Sequence, residues 1–508
     1  MDSIAPHPFL RQLHESLGQN AEREAFLIAG RRHSYAELAK AVGGIWRSLS
    51  QAGPGPWVGI LAENQLETYA SQLAVLFSGR GFVMLHPAHP QERNLDIARQ
   101  AGIDLLLLSG HDPAAQRLPG IASLETRGLR HDALPGLDEN PHGAGAYLLF
   151  TSGSTGKPKG VPITRDNLQA FFVSFFDIDF PFRPDDHWLQ MFELTFDVSV
   201  ATALLPLSLG ARVLTVPSGG VKFMEVYRLL EEEGVTIATL VPSLLAHLRP
   251  YFDDIRLPGL RLCVVTAEAS THQLLEQWRP CAPQAPILNL YGPTEATIWC
   301  LAHFCLPDDE RSGKTYNGMA SIGKPMSQVQ ALVADADGNA LPEGQKGELC
   351  VAGPQLTPGY LGLPERDAAA FFWREHRGRP TRFYRTGDLA FVGPDGDILC
   401  GGRLDNQVQV QGFRVELHEI EHAAAQAPGV ANCVAMAFKT PEGIDFLALA
   451  VEAGPWGKDE LHQWLKAKLP PYMVPEKIVG LEKFPLNPSE KVDRKALRLI
   501  LAQTLERP

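Results

Sequence analysis

The sequence lacks the features that anchor a chain in a membrane or staple it outside the cell. Nowhere do about 18 or more apolar residues run together, and the opening MDSIAPHPFLRQLHES carries no basic patch followed by a continuous apolar stretch. An unanchored cytoplasmic protein is the expectation. Cysteine is sparse: seven residues, an odd number, with no C-x-x-C pair, the closest two being Cys300 and Cys305. Buried thiols fit that usage better than disulfides or metal ligands. Positive charge is also short. A formal net charge of −12 argues against a general nucleic-acid binder, because displacing counterions from phosphate needs a basic face. Repeats and low-complexity tracts are missing as well. What remains is ordinary globular composition, 45% hydrophobic and 20% charged over 508 residues, enough chain for two or more domains with interiors of their own.

Helix and strand patterns alternate through the first part of the chain. The apolar positions Leu38, Val42, Ile45, Trp46 and Leu49 mark an amphipathic helix ended by Gly53-Pro54-Gly55; strands are expected at 58–61, 81–85 and 103–108, and helices at 67–77 and 92–100. After a Pro- and Gly-rich connection at 133–145 the pattern resumes, with helices at 167–176, 198–207, 224–233 and 273–279 and strands at 188–192, 213–216, 236–241, 262–266 and 286–290. Such alternation makes a mostly parallel sheet covered on both faces. Two wound lobes imply a cleft where their strand ends face one another, the usual ligand site of open α/β sheets. From about 325 short β runs separated by turn residues predict a β-rich subdomain, and beyond Arg403 a compact α/β unit begins. The expected fold is therefore α/β: a large N-terminal domain, 1–402, of two wound subdomains plus the β-rich one, and a small mobile C-terminal lid domain, 403–508.

The most telling stretch is AYLLFTSGSTGKPKGV, Ala146 to Val161. An apolar run that reads as a buried strand empties into ten residues holding three glycines, four hydroxyls and two lysines. Gly153, Gly156 and Gly160 allow close backbone approach, so several N–H groups can converge on one oxyanion. Thr151, Ser152, Ser154 and Thr155 add hydroxyl donors, and Lys157 and Lys159 add charge. It is not the usual ATPase loop, because Lys157 is followed by Pro158 rather than Ser or Thr.

This string resembles the phosphate loop of the adenylate-forming superfamily, which holds acyl- and aryl-CoA synthetases, luciferases and the adenylation domains of nonribosomal peptide synthesis. The resemblance covers nearly the whole chain. It implies that Thr151, Ser152, Gly153, Ser154, Thr155, Gly156 and Lys157 cradle the phosphates of ATP. Asn289-Leu290-Tyr291-Gly292-Pro293-Thr294-Glu295 is similar to the family's adenine and magnesium segment. By that likeness Asn289, Tyr291 and Gly292 bind the nucleotide, Tyr291 by stacking on the base, while Thr294 touches the α-phosphate and Glu295 holds magnesium. In Tyr384-Arg385-Thr386-Gly387-Asp388 the resemblance assigns Asp388 to the ribose. Gly402-Arg403-Leu404-Asp405 looks like the boundary between large and small domains, with Arg403 near ribose and phosphate and Asp405 at the hinge. Lys491, in Asn487-Pro488-Ser489-Glu490-Lys491, matches the catalytic lysine that binds both the substrate carboxylate and the α-phosphate. The reaction implied is ATP-dependent activation of a carboxylate, followed by displacement of AMP by a thiol.

Phe196-Asp197-Val198-Ser199 opens a helix, so Asp197 has the place of an N-cap. In the amino-acid-activating branch an Asp at the matching position pairs with the substrate ammonium, and a buried cation needs such a partner. Carrying the family's pocket across residue by residue gives Asp197, Val198, Ala201, Thr239, Val265, Ala267, Leu290, Ile298 and Trp299. No charge but Asp197 faces the side chain, so a small-to-medium apolar amino acid such as valine is expected. The thiol is then phosphopantetheine on a separate or fused peptidyl carrier protein, in secondary metabolite biosynthesis.

The chain departs from the peptide-synthesis pattern at Gln409 and Gln411, usually Lys and Arg, at Glu490, usually Gly, and at His86, usually Asp. It ends fifteen residues after Asp493 with no carrier, condensation or thioesterase region following, which fits a stand-alone enzyme or a piece of a longer one. D-alanine–carrier protein ligases share that layout and have a similar strand end to Ala267-Glu268. An acyl- or aryl-CoA ligase would use the same loop without Asp197. A degenerate nucleotide-binding homologue is the non-enzyme alternative, against which Lys491, Glu295 and Asp388 together argue.

Overall fold

The computed structural model describes residues 7–49, 55–110, 116–137, 144–151, 158–217, 221–405, 407–430, 432–452, 454, 456–485 and 492–505. The chain forms two compact units. The first comprises Met1–Pro87, Asn94–Phe150 and Gly160–Leu404; the second comprises Ala88–Arg93, Thr151–Lys159 and Asp405–Pro508.

The first unit holds the two wound lobes. In one, the strands Trp57–Leu61, Gly81–Leu85 and Leu105–Leu108 lie in a six-stranded sheet with Ala122–Glu125, Gly145–Thr151 and Lys159–Thr164. All its pairings from Ala122–Glu125 across to Gly145–Thr151 are parallel. The other is a nine-stranded sheet in which His187–Gln190, Arg212–Thr215, Ile237–Leu240, Leu262–Thr266 and Ile287–Tyr291 run parallel, while Leu301–Cys305 returns antiparallel. The strands Gly81–Leu85, Ile237–Leu240 and Leu262–Thr266 are buried at every position, as a sheet covered on both faces requires. Helix Asp197–Leu209 is apolar nearly all round, buried through its length, and closed by Gly210 in the left-handed region at φ 76°.

The strand ends of the two lobes meet. Asn64, after one strand of the six-stranded sheet, donates to the Val216 carbonyl at 3.0 Å, and His86, after another, lies 2.6 Å from Glu193 beyond the strand His187–Gln190. The cleft expected from two wound halves is thereby bounded within one unit.

One piece of topology was not legible. Helix Pro8–Gln19 and the strands Glu24–Ile28 and Arg31–Ser34 precede the first lobe, yet those strands close the edge of the nine-stranded sheet, Phe26 pairing with Val213. The strand Arg31–Ser34, RRHS, is polar because it is an edge. The β-rich subdomain is a five-stranded sheet built on the long strand Arg379–Val392.

The second unit carries the hairpin Gln407–Val410 with Phe413–Glu416, and the sheet of Cys433–Lys439, Asp445–Glu452 and Lys477–Leu481. Helices Leu417–Ala425, Lys458–Lys468 and Arg494–Leu505 complete it. All seven cysteines are free thiols, five buried and two half-buried. No described helix is long and apolar enough to cross a membrane.

Candidate active site

The strand Ile287–Tyr291 delivers two predicted nucleotide ligands, Asn289 and Tyr291, and the chain then turns sharply at the third, Gly292. Asn289 is fixed by donating to the Ser321 carbonyl at 2.8 Å. Gly292 has no room for a side chain: a Cβ there would lie 2.2 Å from the Ile298 carbonyl oxygen and 2.7 Å from the Trp299 Cα. Thr294–Ala296 forms a short 3-10 turn, and Thr297 and Ile298 follow at φ 56° and 72°. A β-branched residue in that region costs on the order of 1–3 kcal/mol and persists only where its surroundings enforce it. Buried Gln355 enforces it here. Its side-chain amide donates to the carbonyls of Ala296 (3.1 Å) and Trp299 (2.8 Å), and its backbone carbonyl accepts the Thr297 hydroxyl at 2.5 Å.

Glu295 is fully buried, and its Oε1 accepts a 2.8 Å hydrogen bond from the Tyr360 hydroxyl. Burial, reinforced by the Glu295 charge, pushes the Tyr360 hydroxyl far up, so it stays a donor. This is an anionic oxygen ligand held in place, the donor type magnesium takes. A second cluster, His303, Cys305 and Asp309, has ligand atoms within 4.8 Å of one another, with His303 and Asp309 joined at 2.7 Å.

Tyr291, Asp388 and Arg403 come together. The Tyr291 hydroxyl donates to Asp388 Oδ2, and Arg403 donates at 2.9 Å both to Asp388 Oδ1 and to the Thr386 carbonyl. Strand pairing sets Asp388 opposite Arg403, so the ion pair follows from register. Burial first, then the Asp388 charge, pushes the Tyr291 hydroxyl well above its ordinary value.

Asp197 is the first residue of its helix, with Phe196 as the N-cap, so the N-cap reading of Asp197 does not hold. Burial pushes its carboxyl up to about 6, nearby Glu295 adding to the rise; the Thr294 hydroxyl and the Val198 N–H hydrogen-bond it and oppose the rise. Val198 and Ala201 follow on the same helix, while Thr239, Val265 and Leu290 sit on three neighbouring parallel strands. Ala267 leaves its strand at φ 68°, and Ile298 and Trp299 come from the strained turn.

Thr151 ends the strand Gly145–Thr151, its hydroxyl oxygen buried with no hydrogen-bond partner among the described residues. Ser152, Gly153, Ser154, Thr155, Gly156, Lys157, Glu490 and Lys491 lie outside the described residues. Asp405 opens the C-terminal part of the second unit and accepts from the Gln407 N–H at 3.1 Å. Gln409 faces Arg414 across the hairpin whose turn contains Gln411 at φ 51°. Gln355, Tyr360 and Thr266 escaped the sequence reading, because each acts through a partner 24 to 65 residues away.

The family model described as AMP-binding enzyme matches residues 13–361, and that of the AMP-binding enzyme C-terminal domain matches 419–491. Zwittermicin A synthase ZmaJ of Bacillus cereus is 32% identical, with 96% of this chain and 94% of that protein covered. The phosphinothricin tripeptide synthetase PhsC of Streptomyces viridochromogenes is 33% identical over 97% of this chain, which spans only 46% of that longer relative. Among solved structures, holo-PA1221, a nonribosomal peptide synthetase protein containing adenylation and PCP domains, superposes with a TM-score of 0.85 at 26% identity, covering 97% of this chain and 84% of that one.

Proposed function

The chain belongs to the AMP-binding enzyme family of AMP-forming ligases, and from that membership we propose that it activates an amino acid as its adenylate and passes it as a thioester to a phosphopantetheinyl carrier protein. The observation that carries the amino acid reading is Asp197. A buried carboxylate hydrogen-bonded to Thr294, beside a second carboxylate at Glu295, is a site that favours an incoming cation, and the α-ammonium supplies one.

In this reading Tyr291 faces the adenine and Asp388, oriented by Arg403, accepts from the ribose hydroxyls. The loop from Thr151 to Lys157 cradles the phosphates. One oxygen of the substrate carboxylate attacks the α-phosphorus; the bond to the bridging oxygen breaks and pyrophosphate leaves with its electron pair. Lys491 offsets the charge that builds as the two anions approach, and Thr294 donates to the α-phosphate. Glu295 would hold magnesium, which when bound would supply neutralisation of phosphate charge. The carrier's thiol then attacks the acyl carbon and AMP departs. Residues 403–508 act as the lid domain, pivoting at Asp405, in a cytoplasmic enzyme. Residue types in the pocket suit a small-to-medium apolar amino acid such as valine.

The test is amino-acid-dependent exchange of pyrophosphate into ATP across the standard amino acids, D-alanine and a set of aryl and fatty acids. One dominant amino acid, lost in Lys491→Ala with nucleotide binding retained, is the expected result. Exchange with non-amino acids alone would move the protein to the CoA-ligase branch.

A further inference from the structure

The proposed amino acid pocket leaves little space, and what keeps it small lies outside the pocket residues. Ala201, Thr239, Val265, Leu290, Ile298 and Trp299 are each at most 1% exposed. Exposure is confined to the mouth, where Val198 is 7% and Asp197 9% exposed and Ala267 is half-buried. A space able to take an isopropyl group would open the deep walls to water, and those walls are all but closed to it.

The walls are also unable to retreat. The Trp299 indole N–H donates to Thr266 Oγ1 at 2.9 Å, and the Thr266 hydroxyl in turn donates to the Leu290 carbonyl at 2.8 Å. Phe171 and Phe175, both buried, pack against the indole with ring centroids 6.0 and 5.7 Å away. The Trp299 carbonyl is held by Gln355 at 2.8 Å. Swinging the indole aside would leave a buried N–H unsatisfied and open a void between two phenylalanines.

We infer that the substrate is an amino acid whose side chain is no larger than a methyl group, glycine or alanine, and that Thr266 is the positioning residue that sets this limit by holding Trp299 in the pocket. The inference rests on the amino acid adenylation proposed above. It narrows the range that residue types alone admit, because types do not report packing.

The experiment compares kcat/KM for pyrophosphate exchange with glycine, L- and D-alanine, valine and leucine, in the native sequence and in Thr266→Val, Thr266→Ser and Trp299→Leu. Glycine or alanine should exceed valine by at least about 10-fold, within the roughly 10- to 200-fold that one methylene is worth in such pockets. Thr266→Val keeps the volume and removes the hydroxyl; it should raise the valine-to-alanine ratio about 10-fold, chiefly through the amino acid KM. Thr266→Ser should restore the original ratio. A ratio of two substrates does not depend on the fraction of protein folded. If Thr266→Val does not fold, Trp299→Leu should give the same shift. A native preference for valine or leucine would overturn the size limit and leave amino acid adenylation standing. An unchanged ratio in Thr266→Val would overturn the role of Thr266. Exchange with no amino acid at all would instead overturn the adenylation reading on which the limit rests.

Discussion

Tyr291 donates its phenolic hydrogen bond to Asp388, 97 residues away in sequence, and Arg403 grips the other oxygen of the same carboxylate. The two bonds fix Asp388 before any nucleotide arrives. Removing one should therefore loosen a prepared acceptor rather than abolish it. Tyr291→Phe keeps the ring and loses the donor, at a cost of about 1.5–3 kcal/mol for a hydrogen bond to a charged acceptor. The expected outcome is a KM for ATP raised about 10- to 150-fold with kcat nearly unchanged, read from exchange rates against ATP concentration. A fall in kcat alone would count against the assignment.

Asp197, the proposed partner of the substrate ammonium, carries a cost in stability. Its carboxyl titrates at about 6 in the fold against an ordinary value of 3.8, so the native state holds the proton more tightly than the unfolded chain. The sign follows: stability from the neutral form is fully present below about 4 and is lost as pH rises through about 6. At neutral pH a buried charge remains, costing on the order of 2–3 kcal/mol. Asp197→Asn should thus be more stable than the native protein near pH 7.5, with the gain vanishing near pH 4, while amino-acid-dependent exchange falls by at least about 100-fold. Urea melts at the two pH values check the first half and exchange assays the second.

How much of this was legible in the sequence divides by range of contact. Tyr291, Asp388 and Arg403 stand in short strings that resemble the family's nucleotide segments, and register alone then puts Asp388 across from Arg403. Asp197 was marked by its place at a helix start, though not its carboxyl's rise to about 6, which comes from burial by elements distant in sequence. Gln355 sits in QLTPGY, a stretch with no period and no motif, and its importance comes from two carbonyls 56 and 59 residues upstream. The N-terminal strands were missed for a similar reason. Nothing in EAFLI says that, besides the strand that directly follows it, it also pairs with Arg212–Thr215 nearly 190 residues on.

The raised carboxyl also predicts how activity should depend on pH. In the proposed function an ammonium pairs with Asp197 only when the side chain is ionised. Below about 6 the proton must leave before substrate binds, so kcat/KM for the amino acid should fall about tenfold per pH unit there and flatten above it. The KM for ATP should not share that inflection. Steady-state exchange between pH 5 and 8, with each substrate varied in turn, separates the two.

The turn after Tyr291 supplies the last test. Thr297 and Ile298 stay in the left-handed region because buried Gln355 closes the turn from outside, its side chain donating two bonds and its backbone carbonyl accepting a third. Gln355→Ala removes the two donated bonds and leaves two carbonyls without their donors in a buried setting. The loss should be about 2–4 kcal/mol, larger than an ordinary truncation because two buried acceptors lose their donors at once. If the turn relaxes locally, Ile298 and Trp299 move and amino acid kcat/KM drops more than ATP binding does. If the strain is instead held by the whole strand pair, in which the Cys300 N–H donates to the Tyr291 carbonyl at 2.8 Å, stability falls while the ratio of the two substrates stays fixed. Denaturation and exchange on the same variant distinguish a turn that Gln355 shapes from one that it only stabilises.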